Sequence, residues 1–151
     1  MSILRLTDQK ITEPYPGVSQ RNPAGAATGA SQLRVFDAMI QPGAVIPYHA
    51  HGNTEASYFV FEGELAAVVG DHRVDLHASD LVLAPPGTGH GFTNNGSGPA
   101  RVITMFPHTA PDVEHLDPGN AATGTLPANI ALRSSVEAWT PWELCTRYDM
   151  M

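Results

Sequence analysis

This chain of 151 residues has a single cysteine, Cys145, so neither an intramolecular disulfide nor a zinc ribbon is open to it. No base stands beside Cys145 in sequence to activate its thiol. Lysine is as scarce: Lys10 stands alone, and the seven arginines are scattered rather than clustered. With 15 acids against 8 bases the formal charge is −7. Nucleic acid and anionic membranes need a basic stripe to displace their counterions, so both are excluded as natural partners. No apolar run approaches the roughly 18 residues that cross a bilayer. The stretch from Met1 to Lys10 also lacks the apolar core of a signal peptide. The Gly-rich phosphate loop, the G-x-S-x-G elbow and HExxH are all missing. What is left is a soluble, cytoplasmic protein whose expected partner is a small molecule.

What is present is turn chemistry between short apolar runs. Hydrophobic residues make up 42% of the chain, enough for a core, and 14 Gly and 13 Pro interrupt them often. Residues 1–32 carry little periodicity beyond a possible short strand from Ile3 to Leu6, and read as an N-terminal arm. From Leu33 the pattern changes. Runs from Leu33 to Ile40, Val45 to His51, Ala56 to Glu62 and Glu64 to Val69 are separated by Gln41-Pro42-Gly43, Gly63 and Gly70-Asp71. His72 to Leu76, Leu81 to Ala84, His90 to Thr93 and Arg101 to Phe106 follow. That series predicts an all-β sandwich or barrel over 33–107, with no βαβ alternation. Residues 108–151 form a C-terminal extension, with a further strand expected from Asn129 to Val136. Trp139 and Trp142 suggest that this extension packs on the barrel or on a partner subunit.

Three histidines carry the chemistry. His49 and His51 are two apart in a strand-like run, and a period of two puts both rings on one face. His90 follows the rigid turn Pro85-Pro86-Gly87-Thr88-Gly89 on a different strand. Imidazole suits Zn, Cu, Fe or Ni, and two strands meeting in a barrel would supply three nitrogen ligands. His72 and His77 flank a hairpin strand and read as solvent-facing; His108 and His115 read as loop residues.

Gly43, His49, His51 and Gly63 stand at the spacing of the first motif of the cupin superfamily. Pro85, Gly87, His90 and Asn94 match the second, with Ser79 where that motif opens on glycine. The chain therefore resembles a small single-domain cupin. The resemblance implies a double-stranded β-helix, or jelly-roll, barrel with a divalent metal held by His49, His51 and His90. The family's glutamate is the point of departure. Counting back from Gly63 puts that position at Ala56, whereas counting forward from His51 reaches Glu55. A one-residue slip turns a side chain to the opposite face. If Ala56, Tyr58 and Val60 face inward, Glu55 faces away unless a bulge or the preceding loop re-aims it. Both a three-histidine site and one with Glu55 as fourth ligand stay open, and parity favours the first.

Tyr58 is then the candidate catalytic polar group inside the barrel. Phe92 shares the inward face of His90, as packing or as a pocket wall. Arg101 is either an anion-binding residue of the substrate pocket or a solvent-facing one. The leading functional reading is an oxygenase acting on a small chelating substrate, with Fe(II) favoured and Zn, Ni, Mn or Cu open. The alternative is a non-redox lyase, isomerase or polyketide cyclase-like enzyme, and the third is a binding module without turnover. The arm before Leu33 offers an edge strand, from which a homodimer is expected.

Overall fold

The computed structural model of the chain describes residues 3–117, so the strand expected from Asn129 to Val136, Trp139, Trp142 and Cys145 lie outside the described residues. Eleven strands form two antiparallel sheets, joined by short turns and two single-turn 3₁₀ helices, Leu6–Asp8 and Ala26–Thr28. The strands are β1 (Thr12–Tyr15), β2 (Val18–Ala24), β3 (Arg34–Ile40), β4 (Val45–Ala50), β5 (Ala56–Glu62) and β6 (Glu64–Val69). They continue with β7 (His72–His77), β8 (Leu81–Ala84), β9 (His90–Thr93), β10 (Ala100–Phe106) and β11 (Glu114–His115). One sheet runs β1-β2-β3-β10-β5-β8 and the other β11-β4-β9-β6-β7. The architecture is the all-β sandwich expected from the strand spacing, in the jelly-roll form that the resemblance implies. No helix among the described residues is long and apolar enough to cross a membrane.

Alternation builds the core. In β10, Ala100, Val102, Thr104 and Phe106 are buried while Arg101, Ile103 and Met105 point outward. In β5, Ala56, Tyr58 and Val60 are the buried set. These residues meet Leu65, Ala67, Leu76 and Phe92 of the opposing sheet in one apolar cluster. Leucines or isoleucines on both faces would flatten this distinction; here the period of two decides which side chains reach the interior.

The segment read as an arm adds two strands to the chain's own sheet, and Ile3 to Leu6 is not a strand. β2 pairs along β3 from Val18 opposite Ile40 to Ala24 opposite Val35. Val18 is fully buried and joins the central cluster. The hairpin β1–β2 thereby closes one side of the space between the sheets.

Two turn positions are set by backbone shape. Gly63, between β5 and β6, has φ of 81°, and a Cβ there would lie 2.8 Å from the Ala100 Cα and the Pro99 carbonyl oxygen. Only glycine fits. Ser79, in the turn into β8, also has a positive φ of 81°, the one non-glycine residue to do so among the described residues. Its backbone N–H donates to the Val60 carbonyl at 2.8 Å, which holds the turn against β5.

Candidate metal centre

β4 would not present His49 to the interior if it were a regular strand. Ile46 pairs with Phe92 and His49 with His90, so three residues on β4 span two on β9. This bulge around Pro47 and Tyr48 resets the alternation and lets both Ile46 and the histidines face inward. Gly91 makes room for it: a Cβ there would lie 3.1 Å from the Tyr48 Cα and backbone N. The displaced Tyr48 ring packs over Gly89, and its hydroxyl donates to the Gly70 carbonyl at 3.0 Å.

The three histidines come together as expected. His49, His51 and His90 are 5%, 4% and 1% exposed, and one ligand atom from each lies within 4.8 Å of the others. Each ring is oriented by a backbone carbonyl. His49 Nδ1 donates to Pro47 at 2.8 Å and His90 Nδ1 to Thr88 at 2.8 Å, while His51 Nδ1 makes a short bond to the carbonyl of Asp112. A ring that donates from Nδ1 keeps its lone pair on Nε2. The triad thus carries three Nε2 lone pairs on buried imidazoles whose other nitrogen is held by a carbonyl, as metal-binding histidines need.

Burial keeps the His49 and His90 rings neutral. His90 is pushed down to about 3, chiefly by desolvation, with His49 adding to the fall and the Thr88 carbonyl opposing it. His49 is lowered for the same first reason, against the Pro47 carbonyl. Neutral imidazole is the metal-binding form, so His49, His51 and His90 fit a divalent ion.

Tyr58 lies inside the site. Its hydroxyl donates to His90 Nε2 at 2.6 Å and sits 3.4 Å from His51 Nε2. Desolvation raises its pKa well above the ordinary phenol, so the proton stays on the oxygen. Ala56, two residues earlier, is fully buried, and Glu55 is exposed and outside the cluster of potential ligands. Parity therefore prevails over the loop: Gly52, Asn53 and Thr54 do not turn Glu55 inward.

Of the two other candidates, Arg101 lies elsewhere and Phe92 beside the site. Arg101 points from the outer face of the six-stranded sheet and forms a two-pronged pair with Asp37, Nε to Oδ1 at 2.8 Å and Nη2 to Oδ2 at 3.1 Å. Its guanidinium also covers the Phe61 ring at 4.8 Å. It belongs to no substrate pocket near the triad. Phe92 is 3% exposed and packs on the Tyr58 ring, 4.8 Å between centroids, and it also lines a cavity on the other side, away from His49 and His51. Asn94 of the second motif is also structural. Its side-chain amide donates to the Ile40 and Gly98 carbonyls and its oxygen accepts from the Gly96 N–H.

Five residues that shape this region were not among the sequence candidates. A cavity of about 230 Å³ beside His49 and His51 is lined in part by Tyr15 and Gln20, from the supposed arm. His115, expected in a loop, sits in β11 opposite His49, with ring centroids 6.4 Å apart. Asp112 contributes only a carbonyl, which no residue type announces. Asn53 fixes that segment by donating to the Ala110 carbonyl at 3.0 Å and accepting from the Asp112 N–H at 3.1 Å.

Residues 36–106 match the family described as the cupin domain. This part of the chain is a cupin domain. Among curated proteins, an uncharacterised protein of Methanocaldococcus jannaschii is 24% identical over 83 residues, covering 54% of this chain and 66% of that protein's length. Three solved structures overlay more than two thirds of this chain. The polyketide cyclase RemF from Streptomyces resistomycificus shares 23% identity at a TM-score of 0.68, over 78% of this chain and 86% of its own. A sugar phosphate isomerase from Silicibacter pomeroyi shares 25% at 0.67, over 77% and 82%. An oxalate decarboxylase from Lactobacillus farciminis shares 20% at 0.66, over 73% of this chain and 34% of that one.

Proposed function

We propose that this cupin is a metal-dependent enzyme that moves a proton on a small organic substrate without net oxidation, in an isomerisation, elimination or cyclisation. The observation that carries this reading is the Tyr58 hydroxyl on His90 Nε2. It is a buried, proton-bearing group set among three metal-binding nitrogens. A divalent ion held by His49, His51 and His90 supplies Lewis acidity toward a substrate carbonyl oxygen. An imidazole Nε2 has one lone pair, so with an ion on His90 the Tyr58 O–H would be without that acceptor and available to a substrate. The hydroxyl is then placed to give a proton to a substrate oxygen or carbon and to recover it later. The backbone carbonyls of Pro47, Thr88 and Asp112 keep the rings from turning. Support also comes from the names of the similar structures: a cyclase, an isomerase and a decarboxylase.

The oxygenase reading rests on a different feature, the donor set. Three neutral imidazoles with no carboxylate leave an Fe(II) ion its full charge and suit an anionic chelating substrate. One experiment separates the readings. Zn-loaded protein is incubated without oxygen with an enolisable dicarbonyl compound in deuterated water, and exchange at the acidic carbon is followed by NMR. Accelerated exchange, lost in Tyr58→Phe, supports proton transfer. Oxygen uptake by Fe(II)-loaded protein with the same compound, without exchange under Zn, supports the oxygenase. Retention of the compound with neither outcome supports a binding module. The homodimer also stays a proposal: β1 is an open edge of the six-stranded sheet, and edge strands need cover. Mass by light scattering at micromolar concentration decides it.

A further inference from the structure

The cavity beside the triad lies between the two sheets and has a polar end and an apolar body. His49, His51 and Tyr58 form the polar end. Phe36 and Phe106 form an aromatic wall, ring centroids 6.1 Å apart at 85°, and Phe106 stands edge-on to His51 at 4.8 Å. Tyr58, Thr104 and Phe36 share one cross-strand row on the six-stranded sheet. Gln20 ends the neighbouring row, beside Ala38. Among the described residues, no acidic or basic side chain other than the histidines lines this space. Arg34 stacks on Phe36 at 4.7 Å and donates to the Thr109 carbonyl, without lining the cavity.

We infer that the substrate is an uncharged, flat, one- or two-ring compound carrying its oxygen donors at one end, an inference that rests on the metal-site reading above. Volume sets the size. A cavity of about 150 Å³ lined by apolar side chains takes benzene, and this one is about 230 Å³. Charge sets the class. A phosphate, sulfonate or second carboxylate on the far end would be stripped of water with no cation to meet it. Neutral rings instead gain aromatic and apolar contacts with Phe36, Phe106 and Ile46. Gln20 supplies the one amide at the far end, and so determines specificity by accepting a polar but uncharged group.

The test compares hydroxyacetonaphthone, a neutral two-ring hydroxyketone, with the same compound sulfonated on the ring far from the ketone. The chelating end is identical in both. Binding is measured by calorimetry on metal-free and on Zn-loaded protein, after Zn uptake has been determined separately. The neutral compound is expected to bind about tenfold tighter or better in both forms. Gln20→Arg is expected to recover most of the loss on sulfonation. Equal or tighter binding of the sulfonated compound to the unaltered protein overturns the inference. Failure to take up Zn sinks the metal-site reading instead, and the comparison on metal-free protein still decides the substrate class.

Discussion

The backbone N–H of Gly87 donates to the carbonyl of His51 at 2.8 Å. This bond ties the turn that delivers His90 to the residue that ends the His49–His51 pair. Together with the pairing of His49 and His90 across β4 and β9, it makes the three rings a single rigid body. The centre is therefore built by backbone contacts before any ion arrives, and its ligands differ sharply in what their loss would do.

His51→Ala is expected to lower Zn(II) and Mn(II) affinity by at least 100-fold, since it removes one of three nitrogens. Glu55→Ala is expected to leave both within about twofold, because that carboxylate is exposed and off the metal face. Competitive titration against a chelator measures both variants. A loss in Glu55→Ala comparable to the histidine variant would make Glu55 a ligand.

Tyr58→Phe keeps the ring and its packing on Phe92 but removes the proton. Proton exchange should fall by about 10²–10⁴-fold, the usual worth of a positioned acid or base. Metal stoichiometry should be unchanged. An unaltered exchange rate would take Tyr58 out of the mechanism.

Acid should destabilise the metal-free protein over a defined window. His90 takes a proton near its ordinary value of about 6.5 when the chain is unfolded, but only near about 3 when folded. Between those values the unfolded state binds more protons, so stability rises with pH there and is lost as pH falls through it. Denaturant midpoints recorded across this range should fall toward acid, and His90→Phe should flatten the profile. A profile as steep in that variant would assign the loss to other groups.

Ser79 holds a left-handed backbone that L-residues adopt at a cost of about 1–2 kcal/mol. Ser79→Gly relieves it, against the extra freedom that glycine gains in the unfolded chain. The expected net gain is about 1 kcal/mol or somewhat less, read as a higher melting temperature. A lower melting temperature would show that the serine side chain contributes more than the turn costs.

The elements that punctuation marks were legible from sequence. β5, β6, β8 and β9 fall where Gly63, Gly70-Asp71 and the Pro85–Gly89 turn delimit them. The serine in place of the second motif's opening glycine is found in the conformation that favours glycine. The hairpin β1–β2 was hidden because Pro14 and Pro23 break its pattern. Pro14 sits on an edge strand, and Pro23 lies where the β2–β3 register shifts, the two places a sheet tolerates proline. The triad's residue types showed in the sequence; the bulge that aims them and the carbonyls that orient them did not, because backbone groups belong to every residue alike.

The carbonyl that orients His51 comes from Asp112, 61 positions further along the chain. All three ligands are thus synthesised before the group that completes their alignment. A nascent chain ending shortly after β10 would carry the whole ligand set and hold one member of it loosely. Full alignment of the centre therefore depends on the segment beyond Pro107. Metal captured before that segment is in place would meet a softer and less selective site than the finished protein offers.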